Sequence, residues 1–384
     1  MKVVFVIESW AEGNGAVVAT KRLSEELISR GHEVAVVTTG SYDDENIHEV
    51  SGFYLPFVRQ SLENMGMKFS MGEKEVLREA FKGADIIQIQ FPFFIARNTI
   101  KVAKEMGIPV IGGSHVQPQN IISAMGKESL LMEKILHWFF NQSLYKKVGT
   151  IHYPSQFAAD LFKKKGSTAK ARVVSNGIPE AYTPEVHDRP DWFADKFVLM
   201  NVGRHAMEKR QELLIEGILK SKYKDNIQLL LCGKGEDSEK LRERGKDLPV
   251  EPLVRYISMD EKLQYLNTAD LYLHGSVVEL ESLSCLEAIG CGLPCLIGDS
   301  PYSAAPQFAL EENFIFRMDD PDDLAAKIDY LYENREELRK RKQDVLEMAE
   351  KYRFTKCVDQ MEELYSEVIG KPVRGQNREA ELLV

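Results

Sequence analysis

A chain of 384 residues, 44% hydrophobic and 28% charged, has the material for two domains with full cores and gives no case for disorder. Its net charge of −10 argues against non-specific nucleic-acid binding, and its five cysteines, Cys232, Cys285, Cys291, Cys295 and Cys357, lack CxxC spacing and read as reduced core residues. The apolar run at the N-terminus is too short for a secretory signal, and no later run reaches the roughly 18 residues of a membrane span, so the chain is expected in the cytoplasm.

Residues 2–7, KVVFVI, form a continuous apolar run of the kind that a parallel sheet buries on both faces. The loop Glu8 to Ala16 holds Gly13-Asn14-Gly15 and leads into a helix predicted from about Val17 to Arg30. This turn opens a Rossmann-like domain but is not a dinucleotide fingerprint, because the GxG lacks its third glycine and no acidic residue ends the second strand. Further strands are predicted at 33–39, 85–90 and 109–112, separated by helical pattern, which implies a parallel sheet. Ser114-His115-Val116-Gln117-Pro118-Gln119-Asn120 follows the last of these. His115 therefore stands at the carboxyl edge of the sheet, where a neutral imidazole can hydrogen-bond a sugar hydroxyl; a satisfied core histidine is the plainer reading.

Residues 101–184 carry 11 basic and 5 acidic residues, a balance compatible with a face toward anionic lipid or with ordinary surface variation. Within them, 127–149 combines Leu130, Leu131, Ile135, Leu136, Trp138, Phe139, Phe140 and Leu144 with flanking Lys127, Lys134, Lys146 and Lys147. An interfacial amphipathic helix has that composition, and so does a core helix with a neighbour on each side. Phe53 to Met71, with Phe57, Leu62, Met65, Met67 and Phe69, offers a second apolar loop suited to a greasy ligand. A strand at 151–153, a helix capped by Ser155, and Val173 to Ile178 close the first domain, and Thr183 to Asp195, with Pro184 and Pro190, reads as a linker.

The second domain opens with a strand at 197–203, followed by Arg204 and, near a helix start, Lys209. Two cations at a strand end suit a diphosphate, although a solvated charge cluster is the default. A strand at 227–232 ends in Gly233-Lys234-Gly235, and Arg255 to Ser258 precedes a helix. Leu271 to His274 is a buried strand leading to a turn with Glu279 and Glu281, then a helix from Ser282 or Ser284 to Gly290, then a strand at 294–297. The helix N-terminus favours an anion, and the carboxylates of Glu279 and Glu287 suit a polyhydroxylated ligand. Ser284 to Glu287 equally fits a capping box, and spacing leaves the two readings even. Asp320-Pro321-Asp322 matches the DxD metal pattern but begins a helix, where it reads as capping. Helices are predicted over 321–333, 336–351 and 355–369.

Glu279 and Glu287, followed by Ala288 and Cys291-Gly292-Leu293-Pro294, resemble the paired-glutamate signature of glycosyltransferase family 4, and Gly203-Arg204-x4-Lys209 resembles its donor-phosphate site. The resemblance implies an α/β GT-B fold, two facing Rossmann-like domains with parallel sheets and a cleft between them. Residues 1–182 would bind the acceptor, 183–196 link, 197–354 bind the nucleotide-sugar, 355–370 cross back as a helix, and 371–384 form a loose tail. It implies a UDP-hexose donor with Arg204 and Lys209 on the diphosphate, Glu279 on the sugar, Glu287 on the ribose, Gly233 and Ser258 near the nucleotide, and Ser282, Leu283 and Ser284 adding phosphate contacts. Gly13, Gly15, His115, Gln117 and Asn120 would face the acceptor. Catalysis would rest on His115, Glu279, Arg204 and Lys209, with retention by front-face attack, no protein nucleophile, no metal and no cofactor.

The 114–120 loop and Pro306-Gln307-Phe308-Ala309-Leu310 resemble the branch of bacterial enzymes that glucosylate diacylglycerol. That branch implies a lipid acceptor, an anionic membrane surface and peripheral attachment at the inner face of the cell membrane. Gln119 stands where the branch has glutamate, and Leu280-Glu281-Ser282 where the family has Gly-Phe-Gly. A ceramide-like lipid, a polysaccharide intermediate and a non-catalytic nucleotide-sugar binding protein are the alternatives, and the residues do not separate glucose from galactose.

Overall fold

In a computed structural model of the chain, the first apolar run becomes β1 (Lys2–Val6), with Val3 to Val6 fully buried, as expected of a strand covered on both faces. The structure describes residues 1–11, 14–56, 59–64, 66–124 and 129–370; Gly13, Phe57, Met65, Lys127 and the predicted tail 371–384 lie outside the described residues. The chain divides into two units, Met1–Ser175 with the segment from Thr355 onward, and Asn176–Phe354.

The first unit adds β2 (Glu33–Thr39), β3 (Ile47–Val50), β4 (Ile86–Ile89), β5 (Val110–Gly113), β6 (Thr150–Tyr153) and β7 (Lys170–Val173). They form one parallel sheet in the order β3-β2-β1-β4-β5-β6-β7, with Val4 of β1 opposite Ala35 and Ile87. The chain runs outward from β1 to β3 and returns on the other side at β4. That reversal makes the carboxyl ends of β1 and β4 a switch point, where open sheets of this kind bind ligands. Asn14 caps the Gly15–Ser29 helix by accepting from Ala16 N at 3.0 Å. Helix Phe354–Ile369 belongs mostly to this unit, and its Tyr365 Oη donates to Gln88 Oε1 at 2.6 Å.

The second unit contains β8 (Phe197–Val202), β9 (Ile227–Cys232), β10 (Leu253–Arg255), β11 (Leu271–His274), β12 (Val278–Glu279), β13 (Cys295–Gly298), β14 (Tyr302–Ser303) and β15 (Ile315–Phe316). Its main sheet runs β10-β9-β8-β11-β13-β15, while β12 and β14 pair separately. The switch point lies between β8 and β11. Alternate residues of these strands feed two cores, Met200, Leu230 and Tyr272 against Leu286 and Ile289 on one face, Leu199, Leu229 and Leu273 against Leu214 and Leu324 on the other.

Several predicted boundaries move. Residues 176–182 group with the second unit, because Ile178 N donates to Tyr352 O at 2.6 Å and Phe354 N to Ile178 O at 3.0 Å. The segment read as a linker is packed onto that unit too, with Phe193 buried and Arg189 bonded to Asp270 at 2.7 Å. The helix read over 127–149 is shorter, Leu130–Phe140, followed by a wider turn over Asn141–Tyr145. The helix read over 336–351 breaks into Arg335–Lys340 and Lys342–Ala349. Much of the apolar loop from Phe53 is core: Leu62, Met67 and Phe69 are buried, and Phe69 meets Phe93 edge-on at 5.1 Å. Among the described residues no helix is long and apolar enough to cross a membrane.

Candidate functional site

At the β8/β11 switch point, pairing of β12 with β14 holds Glu279 on a strand. Lys209 Nζ donates to Glu279 Oε1 at 2.5 Å, and His274, at the end of β11, lies 3.8 Å from the same oxygen. Burial pushes the Glu279 carboxyl up, but the charges of Lys209 and His274 more than reverse this and hold it below its ordinary range. Burial pulls the Lys209 ammonium down and Glu279 raises it past its ordinary value. The two groups therefore stay charged together. Arg204, just beyond β8, pairs with Glu208 and lies 3.6 Å from Glu236. Both cations predicted to meet a diphosphate thus face carboxylates, which a more highly charged ligand can displace.

The turn after β9 depends on its glycines through close approach. A Cβ on Gly233 would sit 1.8 Å from Gly203 O, and one on Gly235 would sit 2.2 Å from His205 O. Without those side chains the turn presses against the end of β8 where Arg204 begins.

Helix Leu283–Gly290 is capped by Ser282, whose Oγ accepts from Cys285 N at 3.3 Å. Ser284 Oγ lies 3.2 Å from Ser282 Oγ, inside the first turn. A capping box at Ser284 is therefore not formed, and Glu287 turns to a different group. Its Oε2 accepts from Lys262 Nζ at 2.5 Å, and Lys262 also donates to Tyr182 Oη at 3.1 Å with its ammonium 5.1 Å over that ring. Burial pulls Lys262 down, and Glu287 more than offsets it. Glu281, the other acid of the turn, accepts from Asn176 N and Nδ2 at 2.8 Å each, a structural tie. Ser258 serves as the cap of helix Met259–Thr268 in a capping box with Glu261, whose carboxyl is held at about 2 chiefly by Arg255. Asp320 caps helix Pro321–Glu333 by accepting from Asp322 N and Asp323 N, and Asp322 pairs with Lys220 at 2.7 Å. Among the described residues no three or more His, Cys, Asp or Glu side chains are grouped to hold a metal.

In the first unit, His115 is half-buried beyond β5, beside His152 at the end of β6, with ring centroids 6.0 Å apart and planes at 70°. His152 Nε2 donates to Val174 O at 2.7 Å. Burial, with a smaller push from His152, holds His115 at about 3, and burial holds His152 at about 4 against its bond to Val174. Both imidazoles are neutral near pH 7. Asn120 Oδ1 accepts from Gln117 N at 2.9 Å, which orders the loop beyond β5, and both Gln117 and Gln119 are buried. Gly15 is the first residue of its helix, and Gly13 lies outside the described residues. Lys262, Tyr182, His274 and His152 had no signal in the sequence reading. Lys262 and Tyr182 reach Glu287 from distant segments, and no spacing links them.

Residues 13–182 match the family model described as Glycosyltransferase Family 4, and residues 183–347 match the one described as Glycosyl transferases group 1. Alpha-monoglucosyldiacylglycerol synthase of Streptococcus pneumoniae is 24% identical over 308 residues, covering 75% of this chain and 69% of that protein. The enzyme of the same name from Acholeplasma laidlawii is 25% identical over 311 residues, covering 74% of this chain and 76% of that one. Among solved structures, sucrose-phosphate synthase of Thermosynechococcus elongatus superposes with a TM-score of 0.75 at 16% identity, covering 96% of this chain and 99% of that one. This structural likeness shows the GT-B fold.

Proposed function

Because the chain belongs to the family 4 glycosyltransferases, we propose that it moves a hexose, glucose first, from a UDP-sugar to the hydroxyl of a membrane lipid, diacylglycerol first, with retention at the anomeric carbon. The observation that carries this reading is the Lys209–Glu279 pair at the β8/β11 switch point, with Arg204 close by. On binding, the diphosphate takes the two cations from their carboxylates, which frees Glu279 for sugar hydroxyls, while Glu287, held by Lys262, meets the ribose. As the bond from the anomeric carbon to the phosphate oxygen breaks, negative charge grows on the diphosphate beside cations already in place, and the N-terminus of helix Leu283–Gly290 adds to the same field. The acceptor oxygen forms the new bond on the same face and its proton passes to the leaving phosphate oxygen, so no protein nucleophile and no metal enters a step. His115, neutral, is suited to hydrogen-bond an acceptor hydroxyl.

The acceptor assignment draws support from the printed names of the two synthases and from helix Leu130–Phe140. That helix exposes Leu130 by 74%, Leu131 by 70% and Trp138 by 64%, with Lys134, Lys146 and Lys147 also exposed. Apolar bulk bordered by lysines suits peripheral attachment to an anionic bilayer, which is where a cytoplasmic enzyme would meet such an acceptor. Mass spectrometry of lipids tests the whole reading, after incubation with UDP-glucose or UDP-galactose and anionic liposomes containing diacylglycerol. A hexosyl-diacylglycerol from one donor is expected. Release of UDP without a glycolipid contradicts the acceptor, as a ceramide-like or polysaccharide acceptor would; no reaction and no UDP binding contradict the donor.

A further inference from the structure

The β1/β4 switch point carries an ionisable group that the reaction above does not use. Glu8 follows β1, is fully buried, and neither carboxyl oxygen has a hydrogen-bond partner in another described residue. A buried polar group without a partner costs about 1–3 kcal/mol even when neutral, so one standing at a ligand crevice calls for a partner that arrives from outside. Its backbone is pinned meanwhile. Thr39 Oγ1 donates to the Glu8 carbonyl at 2.9 Å, Lys68 N donates to it at 3.4 Å, and the next residue, Ser9, donates to Gly66 O at 2.9 Å. The main chain is thus fixed while the carboxyl it carries is left unsatisfied. Thr38 Oγ1, near the end of the neighbouring β2, is likewise buried and without a partner among the described residues. His115 stands on the same edge of the sheet, beyond β5, with β4 between. Two strand spacings make roughly 10 Å, a span that a glycerol backbone and its ester groups can bridge.

We propose that the Glu8 carboxyl binds a hydroxyl and an adjoining ester-type oxygen of an uncharged lipid alcohol, a site that rests on the reading of the first unit as the acceptor side. Burial pushes the Glu8 carboxyl well above the ordinary carboxylate range, against a smaller opposite pull from its own backbone N–H. In its protonated form, which burial favours, the carboxyl has one O–H donor and one carbonyl acceptor. A diacylglycerol offers the complement, a hydroxyl that donates and an ester carbonyl that accepts, with no charge to strip of water.

The test compares wild type, Glu8→Leu and Glu8→Gln with dioctanoylglycerol in mixed micelles and UDP-glucose, alongside UDP-glucose affinity by calorimetry and the thermal midpoint of unfolding. Glu8→Leu is expected to raise the KM for dioctanoylglycerol by about tenfold or more, with UDP-glucose affinity unchanged and a thermal midpoint no lower than wild type, because an unsatisfied polar group has gone. Glu8→Gln keeps a donor and an acceptor and is expected to stay within about threefold. An unchanged acceptor KM in Glu8→Leu, with glycolipid still formed, overturns this inference and leaves the transferase reading standing. A matching fall in UDP-glucose affinity and thermal midpoint overturns it as well, by showing a structural role. Wild-type protein that binds UDP-glucose yet glycosylates no dioctanoylglycerol overturns both this inference and the acceptor half of the reading, and leaves the donor half intact.

Discussion

The two switch points handle ionisable groups in opposite ways. Beyond β8 and β11, Arg204, Lys209 and the nearby Lys262 each face a carboxylate, and in the two lysine pairs mutual attraction overcomes burial. Along the carboxyl edge of the first sheet, burial meets no strong opposing charge: it pushes the Glu8 carboxyl up and leaves His115 and His152 neutral near pH 7. The contrast matches the chemistry proposed for each. A leaving diphosphate carries charge that must be met by charge already in place, while an uncharged lipid hydroxyl is best met by neutral donors and acceptors, since a buried charge would have to be desolvated without repayment.

The strongest way to break this comparison is to remove charge from the donor side. Lys209→Ala is expected to lower kcat/KM for the UDP-hexose by about 10²–10³-fold, the loss typical of one transition-state charge contact, and to leave the acceptor KM in place. Steady-state kinetics with each substrate varied would show it, and a shifted acceptor KM would dissolve the division between the units. Lys262→Met takes the cation from Glu287 and Tyr182 and is expected to cost about 2–3 kcal/mol of stability, read by denaturant unfolding, together with a higher donor KM. Unchanged stability would mean that the Lys262 pair contributes nothing net.

Smaller effects sharpen the acceptor side. Leu131→Glu with Trp138→Glu is expected to weaken binding to anionic vesicles by about tenfold or more, since even partial burial of such side chains in a bilayer contributes about 1 kcal/mol each. Stability should stay within about 0.5 kcal/mol, because both side chains are exposed. Sedimentation with vesicles and thermal unfolding separate the two. The pH dependence of stability is subtler. His115 and His152 bind protons at about 3 and 4 when folded, against an unfolded value near 6.5, so between about pH 6.5 and 4 the unfolded chain holds more protons. Stability should therefore fall as pH drops through that window, by at most about 1.4 kcal/mol per pH unit for each histidine. His152→Gln should make the fall shallower, and an unchanged slope would show that its imidazole is not held neutral by the fold.

The inner strands were legible because each is a continuous apolar run, KVVFV in β1 or IQLLLC in β9, and a strand covered on both faces needs nothing else. The sheet edges were not. β3, β7, β10 and β15 are the outermost strands of the two sheets and escaped the reading, and β7, with sequence KARV, shows why: an exposed edge carries lysine and arginine rather than an apolar signature. At the site, Arg204, Lys209, Glu279 and Glu287 could be singled out because they sit at strand ends and helix starts. The sequence left open whether Ser282 or Ser284 caps the helix between β12 and β13, since both serines precede the same apolar run. Choosing Ser282 frees Glu287 for Lys262, and that choice depends on a helix 25 residues earlier in the chain. The exposure of Leu131 and Trp138 was equally out of reach, because periodicity describes a face without saying what covers it.

The most direct test of the donor-side account is calorimetric titration of UDP into Glu279→Gln, run beside the turnover assay. Glu279 partly neutralises Lys209 in the free protein. Removing its charge should therefore leave UDP binding as tight as in wild type, or tighter, while hexose transfer falls about a hundredfold or more. A loss of UDP affinity in step with turnover, or transfer that survives the substitution, would contradict the assignment of Lys209 to the diphosphate and Glu279 to the sugar.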